Sequence, residues 1–404
     1  MSNIRKDFEW FNQNPNMVYL DSAATSLKPK QVILKTSEYI NNDCTNPHNT
    51  DSLFSYKVYS VIEETRKLLA QYINGNYKEI IFTPSATFSL NMIADSLEEY
   101  LNANDEVLIT NAEHASNILP WLKLKERKNI KLIFADSKIK NISPEEHDIL
   151  NKITNRTKIV SFANGTNLIG TKIDAEKLSK LIKEKKSDVI VIVDATQYLS
   201  HSKMDVKNSS IDVVVGSAHK MFGPTGIGFM YVKESLLNKI NSQVVGGGMN
   251  HVITRDHFEA NDGFSKFEAG TPNVAGIYGW NAALKYYNQL DLCNLRDNIY
   301  KLKKYLDDNL SEIKGIKIYN KGIDSFITIF SYENVFSQDL AGFLGSKNII
   351  VRSGLSCAKL TYEIINYEHV VRVSMHFYTT KEDIDKLLNV LKNYKKGDEI
   401  DAII

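Results

Sequence analysis

The spacing of apolar residues changes twice along the chain. Between residues 79 and 232, short runs rich in Val, Ile and Phe recur between longer polar stretches. Seven of them read as strands: EIIFT (79–83), DEVLIT (105–110), IKLIFA (130–135), TKIVSFA (157–163), SDVIVIVDA (187–195), IDVVVGS (211–217) and GIGFMYV (226–232). DAEKLSKLIKEKKS (174–187) instead carries its apolar residues at helical spacing, with Asp174 as its candidate N-cap. Runs such as VIVIV are apolar on both faces, which fits a sheet covered by helices on each side. From about residue 286 the pattern becomes a long charged helix, DLCNLRDNIYKLKKYLDDNLSEI. Shorter strands and a last amphipathic helix, TKEDIDKLLNVLKNYKK, follow it. The expected fold class is α/β: a large domain over 20–285 with a mainly parallel, helix-covered sheet. A smaller α+β domain is expected from 286–404, joined by residues 1–19.

Composition narrows the class without naming a chemistry. The 404 residues, 43% hydrophobic and 24% charged, are enough for a sizeable core. A net charge of +1 gives no general attraction to nucleic acid or to an anionic membrane. The first twenty residues lack the apolar centre of a signal peptide, and no run approaches the roughly 20 apolar residues that span a bilayer. Cys44, Cys293 and Cys357 do not make a disulfide framework, so a reducing, cytoplasmic setting is expected. Cys293 falls on the long charged helix and is expected to be structural.

In open α/β sheets, ligands bind beyond the carboxyl ends of the strands. Several polar residues sit at such ends: His114, Asn167, Asp194, Gln197, Ser217, His219 and Lys220. Each has a bland reading as a turn residue, a helix cap or a solvated charge. Their convergence on one sheet edge is the informative feature. A lysine at the mouth of a covered sheet loses hydration, which lowers its pKa and makes it a nucleophile toward a carbonyl. Asp194, 26 residues before Lys220, could hold a proton on a pyridine nitrogen. Thr87 lies where a helix begins, so its hydroxyl and the helix N-terminus could meet a phosphate. From the residues alone the reading stops at an enzyme that attaches a carbonyl group to Lys220.

The motifs YLDSAATSLKP, AEHASNILPW, NLIGT, VDATQ, GSAHKMFGPTGIG, FEAGTPN, RSGLSC and VVRVS occur in this order across almost the whole chain. In order and spacing the sequence resembles the class V, fold-type I pyridoxal-phosphate enzymes, whose large domain is like that of aspartate aminotransferase. Within them it resembles the Suf-type, or group II, cysteine desulfurases. The resemblance implies pyridoxal 5'-phosphate as cofactor, with Lys220 attached to its aldehyde carbon and later moving protons on the substrate. It implies Asp194 at the pyridinium nitrogen, Gln197 at the ring hydroxyl and His114 stacked on the ring. Thr87, Ser217 and His219 match phosphate ligands. Thr271 matches a threonine that reaches the neighbouring subunit's phosphate, which implies a homodimer with shared sites. Arg372 matches the binder of the substrate carboxylate, a role that suits a guanidinium better than an ammonium. Asn167 and Arg352 match further substrate-side residues.

Cys357 separates the reactions open to that fold. It sits in a polar loop five residues after Arg352 and 15 before Arg372, where cations favour the thiolate. It aligns with the family's persulfide-forming cysteine, which implies L-cysteine as substrate, alanine as product and a sulfur-acceptor protein of iron–sulfur assembly as partner.

The sequence departs from the family pattern in three places. Ala86-Thr87-Phe88 stands where Thr-Thr-Glu is common, His48-Asn49-Thr50-Asp51-Ser52 replaces a His-Arg-Gly-x-His segment, and Leu355-Ser356-Cys357 replaces His-His-Cys, with Leu360 for a proline. The lost arginine and glutamate would fit the loss of one ion pair, with Phe88 and Asn49 packing together in the dimer. The alternatives within the fold are a selenocysteine lyase, a cysteine-sulfinate desulfinase, an epimerase or an aminotransferase; the alternative outside it is a binding scaffold. A nucleotide-binding dehydrogenase is disfavoured because no G-x-G-x-x-G follows an early strand, and a metal site because the cysteines are scattered. VVGGGMN (244–250) is expected to be a flexible segment near the active-site mouth.

Overall fold

All seven apolar runs pair in one sheet. A computed structural model describes residues 4–48, 50–136 and 146–398. Its large sheet contains β1 (Ile80–Thr83), β2 (Glu106–Thr110), β3 (Lys131–Ala135), β4 (Thr157–Ala163), β5 (Ile190–Asp194), β6 (Val213–Ser217) and β7 (Gly228–Val232). The spatial order is β1-β7-β6-β5-β4-β2-β3, and β7 alone runs against the others. Expected and observed strands differ by trimming at their ends, most at 187–195, which shortens to 190–194.

The doubly apolar runs are explained by where alternate residues go. Val191, Val193, Val214, Phe229 and Tyr231 enter one core, beside Leu69, Leu178 and Trp280. Ile192, Val213, Val215, Met230 and Val232 enter the other, beside Leu90, Ile93, Trp121 and Leu124. Successive side chains of a strand point to opposite faces, so a sheet with helices on both sides needs apolar residues at every position. Each such side chain contributes about 1.5–3 kcal/mol on full burial. The covering helices include α1 (Leu53–Tyr72), α2 (Ala86–Ser96), α3 (Ala175–Lys185) and α4 (Val274–Tyr287). Asp174 caps α3 as expected, its side chain accepting a hydrogen bond from the Lys177 N–H.

A second, four-stranded antiparallel sheet lies farther along the chain. It comprises β8 (Ile316–Ile318), β9 (Ile327–Tyr332), β10 (Arg352–Ser353) and β11 (Val371–Ser374), in the order β8-β9-β11-β10. Helices α5 (Leu292–Ser311) and α6 (Lys381–Asn393) accompany it. Cys293 lies on α5 but is exposed, so it packs into no core, contrary to the structural role expected of it.

The segment after residue 17 ties the two sheets together. Val18–Tyr19 pairs with Ile349–Ile350, and Asp21 bridges to Ser374. The Ser26 N–H and Oγ then bond to the carbonyl of His219 at the end of β6. No helix among the described residues is long and apolar enough to cross a membrane.

Candidate active site

Lys220 rides on the connection from β6 to β7, which is short because those strands are antiparallel. Ala218–Lys220 forms one helical turn, and the Gly223 N–H bonds back to the Ala218 carbonyl at 2.9 Å. A Cβ on Gly223 would lie 2.7 Å from that of Ala218, so the turn closes only with glycine there. The carbonyl of His219 accepts from Ser26, Thr25 and Lys28, and that of Lys220 from His376 Nε2 at 3.4 Å. The backbone of the lysine is thus held from both sides.

Its side chain lines a cavity of about 240 Å³. Thr87, His114, Asn167, Asp194, Gln197, Ser217, His219, Lys220, Arg352, Cys357 and Arg372 all line it, so eleven of the twelve expected site residues converge. Thr271 does not. It lies beside Phe88, Met92 and Val244 at a neighbouring cavity, and is exposed. Asn49, the expected neighbour of Phe88, lies outside the described residues. Within the 244–250 segment, Gly247 accepts from the Gly270 N–H, and none of its residues lines the Lys220 cavity.

Burial pulls the Lys220 amine down to about 8, opposed by Asp194 and reinforced by Arg372. About a tenth is therefore free amine at pH 7, far more than for an ordinary lysine, as a nucleophile requires. Asp194 ends β5 and accepts from the Thr196 N–H at 3.0 Å through one oxygen. Gln197 donates from Nε2 to the Ala23 carbonyl at 2.9 Å, which leaves its second amide hydrogen for another partner. His114 accepts the Ser116 N–H on Nδ1, and burial lowers its pKa further; Nε2 therefore carries the proton of a neutral ring.

The phosphate candidates form a connected group. Ser217 Oγ accepts the Ala86 N–H at 2.8 Å, Ser85 caps α2 through the Phe88 N–H, and Thr87 Oγ1 meets Ser116 Oγ at 2.7 Å. An eleven-residue helix here points its N-terminus into the cavity lining, which favours an anion. His219 is held down to about 3 by burial and then by the charges of Lys220 and Lys28, so it is neutral.

Arg372 is 2% exposed. It donates to Asp21 Oδ1 at 2.6 Å and to the Asn167 carbonyl at 2.7 Å. Cys357 is exposed on a turn in which Gly354 and Ser356 both have positive φ. The turn is anchored by buried Leu355 and by the Ala115 N–H, which donates to the Cys357 carbonyl at 2.8 Å. Leu355 thus packs the loop into an apolar cluster with Ile327, Ile329 and Ile364.

The sequence reading assigned no role to two buried carboxylates here. Asp21 lies within YLDSAATS, and its signal was only the motif around it. Glu113 directly precedes His114, is 1% exposed, and accepts from Thr110 Oγ1, Asn117 Nδ2 and the Ala163 N–H. It staples the ends of β2 and β4 beneath the histidine. Burial raises its pKa to about 7 despite those donors, and Asp194 adds to the rise.

The cavity is suited to a polar, anionic ring compound. Asn167, Thr196 and Arg372 line it, and their Oδ1, Oγ1 and Nε atoms are buried with no hydrogen-bond partner among the described residues. Such groups are costly unless a ligand meets them. Together with the amine, the carboxylate and the helix N-terminus, they fit pyridoxal phosphate carrying an amino acid.

Comparison with known proteins agrees with that geometry. The aminotransferase class-V family model matches residues 18–387. A probable cysteine desulfurase of Ureaplasma parvum serovar 3 is 46% identical over 404 residues, covering 100% of both chains. One of Borreliella burgdorferi is 36% identical, covering 97% of this chain and 96% of its own. Among solved structures, the cysteine desulfurase CsdA of Escherichia coli, in an S-sulfonic acid form, superposes with a TM-score of 0.89 at 29% identity, with 96% of each chain covered. The apo cysteine desulfurase of Thermococcus onnurineus NA1 gives 0.90 at 29% identity, again with 96% of each chain covered.

Proposed function

Because the chain belongs to the aminotransferase class-V family, we propose that it is a pyridoxal-phosphate-dependent cysteine desulfurase that carries sulfur on Cys357. The observation that carries this reading is one cavity lined by an amine of lowered pKa, a buried arginine and an accessible thiol. Transamination or epimerisation would need no nucleophilic sulfur there.

When bound, pyridoxal phosphate supplies an aldehyde that amines condense with and a ring that draws electrons from the substrate carbons. The protein does the rest. Thr87, Ser217, the neutral His219 and the N-terminus of α2 would hold the cofactor's phosphate. Asp194 would keep a proton on the ring nitrogen, Gln197 would offer its spare amide hydrogen to the ring hydroxyl, and His114 would pack against the ring. Lys220 would supply the amine that binds the aldehyde and would then move protons at the substrate Cα. Arg372, with Asn167 and Arg352 beside it, takes the carboxylate of L-cysteine. The Cys357 thiolate attacks the substrate sulfur: an S–S bond forms, the C–S bond breaks, and its electron pair stays with carbon. That carbon is protonated and leaves as alanine, while Cys357 keeps the persulfide.

The acceptor we propose is a sulfur-carrier protein of iron–sulfur cluster assembly, reached in the cytoplasm as for a Suf-type enzyme. Exposure of Cys357, which leaves its sulfur open to another protein, supports this reading. The exposed position of Thr271, away from its own chain's cavity, supports a homodimer in which it completes the partner's phosphate site. The test is alanine released from L-cysteine with a reductant present. The native protein should release it and Cys357→Ser should not. A cofactor-loaded native protein that releases none would send the search to selenocysteine or cysteine sulfinate.

A further inference from the structure

Among the described residues, Arg372 meets one charged group at hydrogen-bond distance, and that group is an acid. Asp21 Oδ1 lies 2.6 Å from its terminal nitrogen, and Asp21 Oδ2 lies 4.0 Å from Arg352. Asp21 is 8% exposed and is fixed through its backbone: it bridges Ser374, and its carbonyl accepts the Ala24 N–H at 3.0 Å. The Asn167 carbonyl takes the other terminal nitrogen of Arg372, while Nε is buried without a partner among the described residues. The guanidinium is thus clamped from the protein side, with donor capacity left over.

The formal charges make the arrangement specific. Two arginines and one aspartate leave one positive charge, which a single substrate carboxylate cancels. We propose that Asp21 is a positioning residue: it aims Arg372 at the substrate carboxylate and, through its own charge, keeps that carboxylate weakly enough held for alanine to leave. This rests on the reading of Arg372 as the carboxylate binder. An acid on the far side of a guanidinium lies within a few ångströms of a bound carboxylate and repels it, while its hydrogen bond fixes the guanidinium plane.

The test uses the holoenzyme, with ligand binding read from the absorbance of its cofactor. L-alanine is the probe, and cysteamine, which has the amine and thiol but no carboxylate, is the control. Asp21→Asn keeps an acceptor at Oδ1 and removes the charge. It should bind L-alanine about tenfold more tightly, with KM for L-cysteine and kcat both falling as product release slows, and with cysteamine binding unchanged. Arg372→Lys should weaken L-alanine and leave cysteamine alone. If Arg372→Lys weakens L-alanine but Asp21→Asn leaves it unchanged or weaker, the role of Asp21 is wrong. If Arg372→Lys binds L-alanine as the native enzyme does, the underlying reading of Arg372 is wrong instead. Arg352→Gln, at an exposed side chain, gives a second reading that does not depend on a buried replacement. It should weaken L-alanine about threefold, because Arg352 is one of the two positive charges counted against Asp21 and the carboxylate, and an unchanged affinity overturns that charge balance.

Discussion

The two halves of the cavity are built differently. Lys220, Asp194 and Ser217 end strands of the large sheet or follow them directly, and their backbones are fixed by the sheet ladder and by the 20–28 segment. Arg352 and Cys357 come from a two-residue strand and a left-handed turn, and both side chains are exposed. A cofactor that stays bound calls for a rigid, dry seat. A thiol that, as proposed, receives sulfur from one molecule and gives it to another has to face outward. Burial tunes the amine of the first half, while access defines the second.

That contrast is sharpest in variants that remove the reacting atoms. Lys220→Ala should lower alanine formation on the order of a thousandfold or more, and the cofactor's bound absorbance should change with it. Cys357→Ser should lower it roughly a hundredfold or more while that absorbance stays native. An altered cofactor spectrum in Cys357→Ser would break the division between the halves. Arg372→Lys comes next, losing about 1.5–3 kcal/mol, or roughly 10- to 150-fold in kcat/KM for L-cysteine, as a two-pronged contact becomes a single one.

Smaller effects probe the seat itself. Glu113→Gln should destabilise the fold by about 1–3 kcal/mol, because the new amide turns a donor toward Asn117 Nδ2, itself a donor. Chemical denaturation measures it. The carboxyl is raised from its ordinary 4.5 to about 7, so the folded chain binds that proton more tightly than the unfolded chain. Its contribution to stability is full below pH 4.5 and declines as pH rises through 7, and the glutamine variant should lack that decline. Last, the Lys220 amine loses its proton near pH 8, so covalent capture of pyridoxal phosphate by the apoprotein should quicken as pH rises through that value. Capture that slows with rising pH would contradict a desolvated amine.

The same contrast sets what the sequence made legible. Val213–Ser217 followed by His219-Lys220 announces a strand end with a polar cargo, because sheet period and apolar burial are local signals. The eleven converging residues were legible through that geometry together with the family motifs. The acids behind them were not. Asp21 meets Arg372 across 351 positions, and no local spacing encodes such a contact. Glu113 hides beside the more conspicuous His114, since a fully buried carboxylate without a cation is not what composition or period predicts. Cys293 shows the reverse error, a cysteine on a helix that faces solvent rather than the core.

Sulfur should leave L-cysteine for Cys357, and mass spectrometry of the holoenzyme after incubation with L-cysteine, without reductant, reads that transfer on the protein itself. One added sulfur atom is expected on the peptide containing Cys357 and none on those containing Cys44 or Cys293. Alanine formed while Cys357 stays unmodified, or sulfur found instead on Cys44 or Cys293, would contradict it.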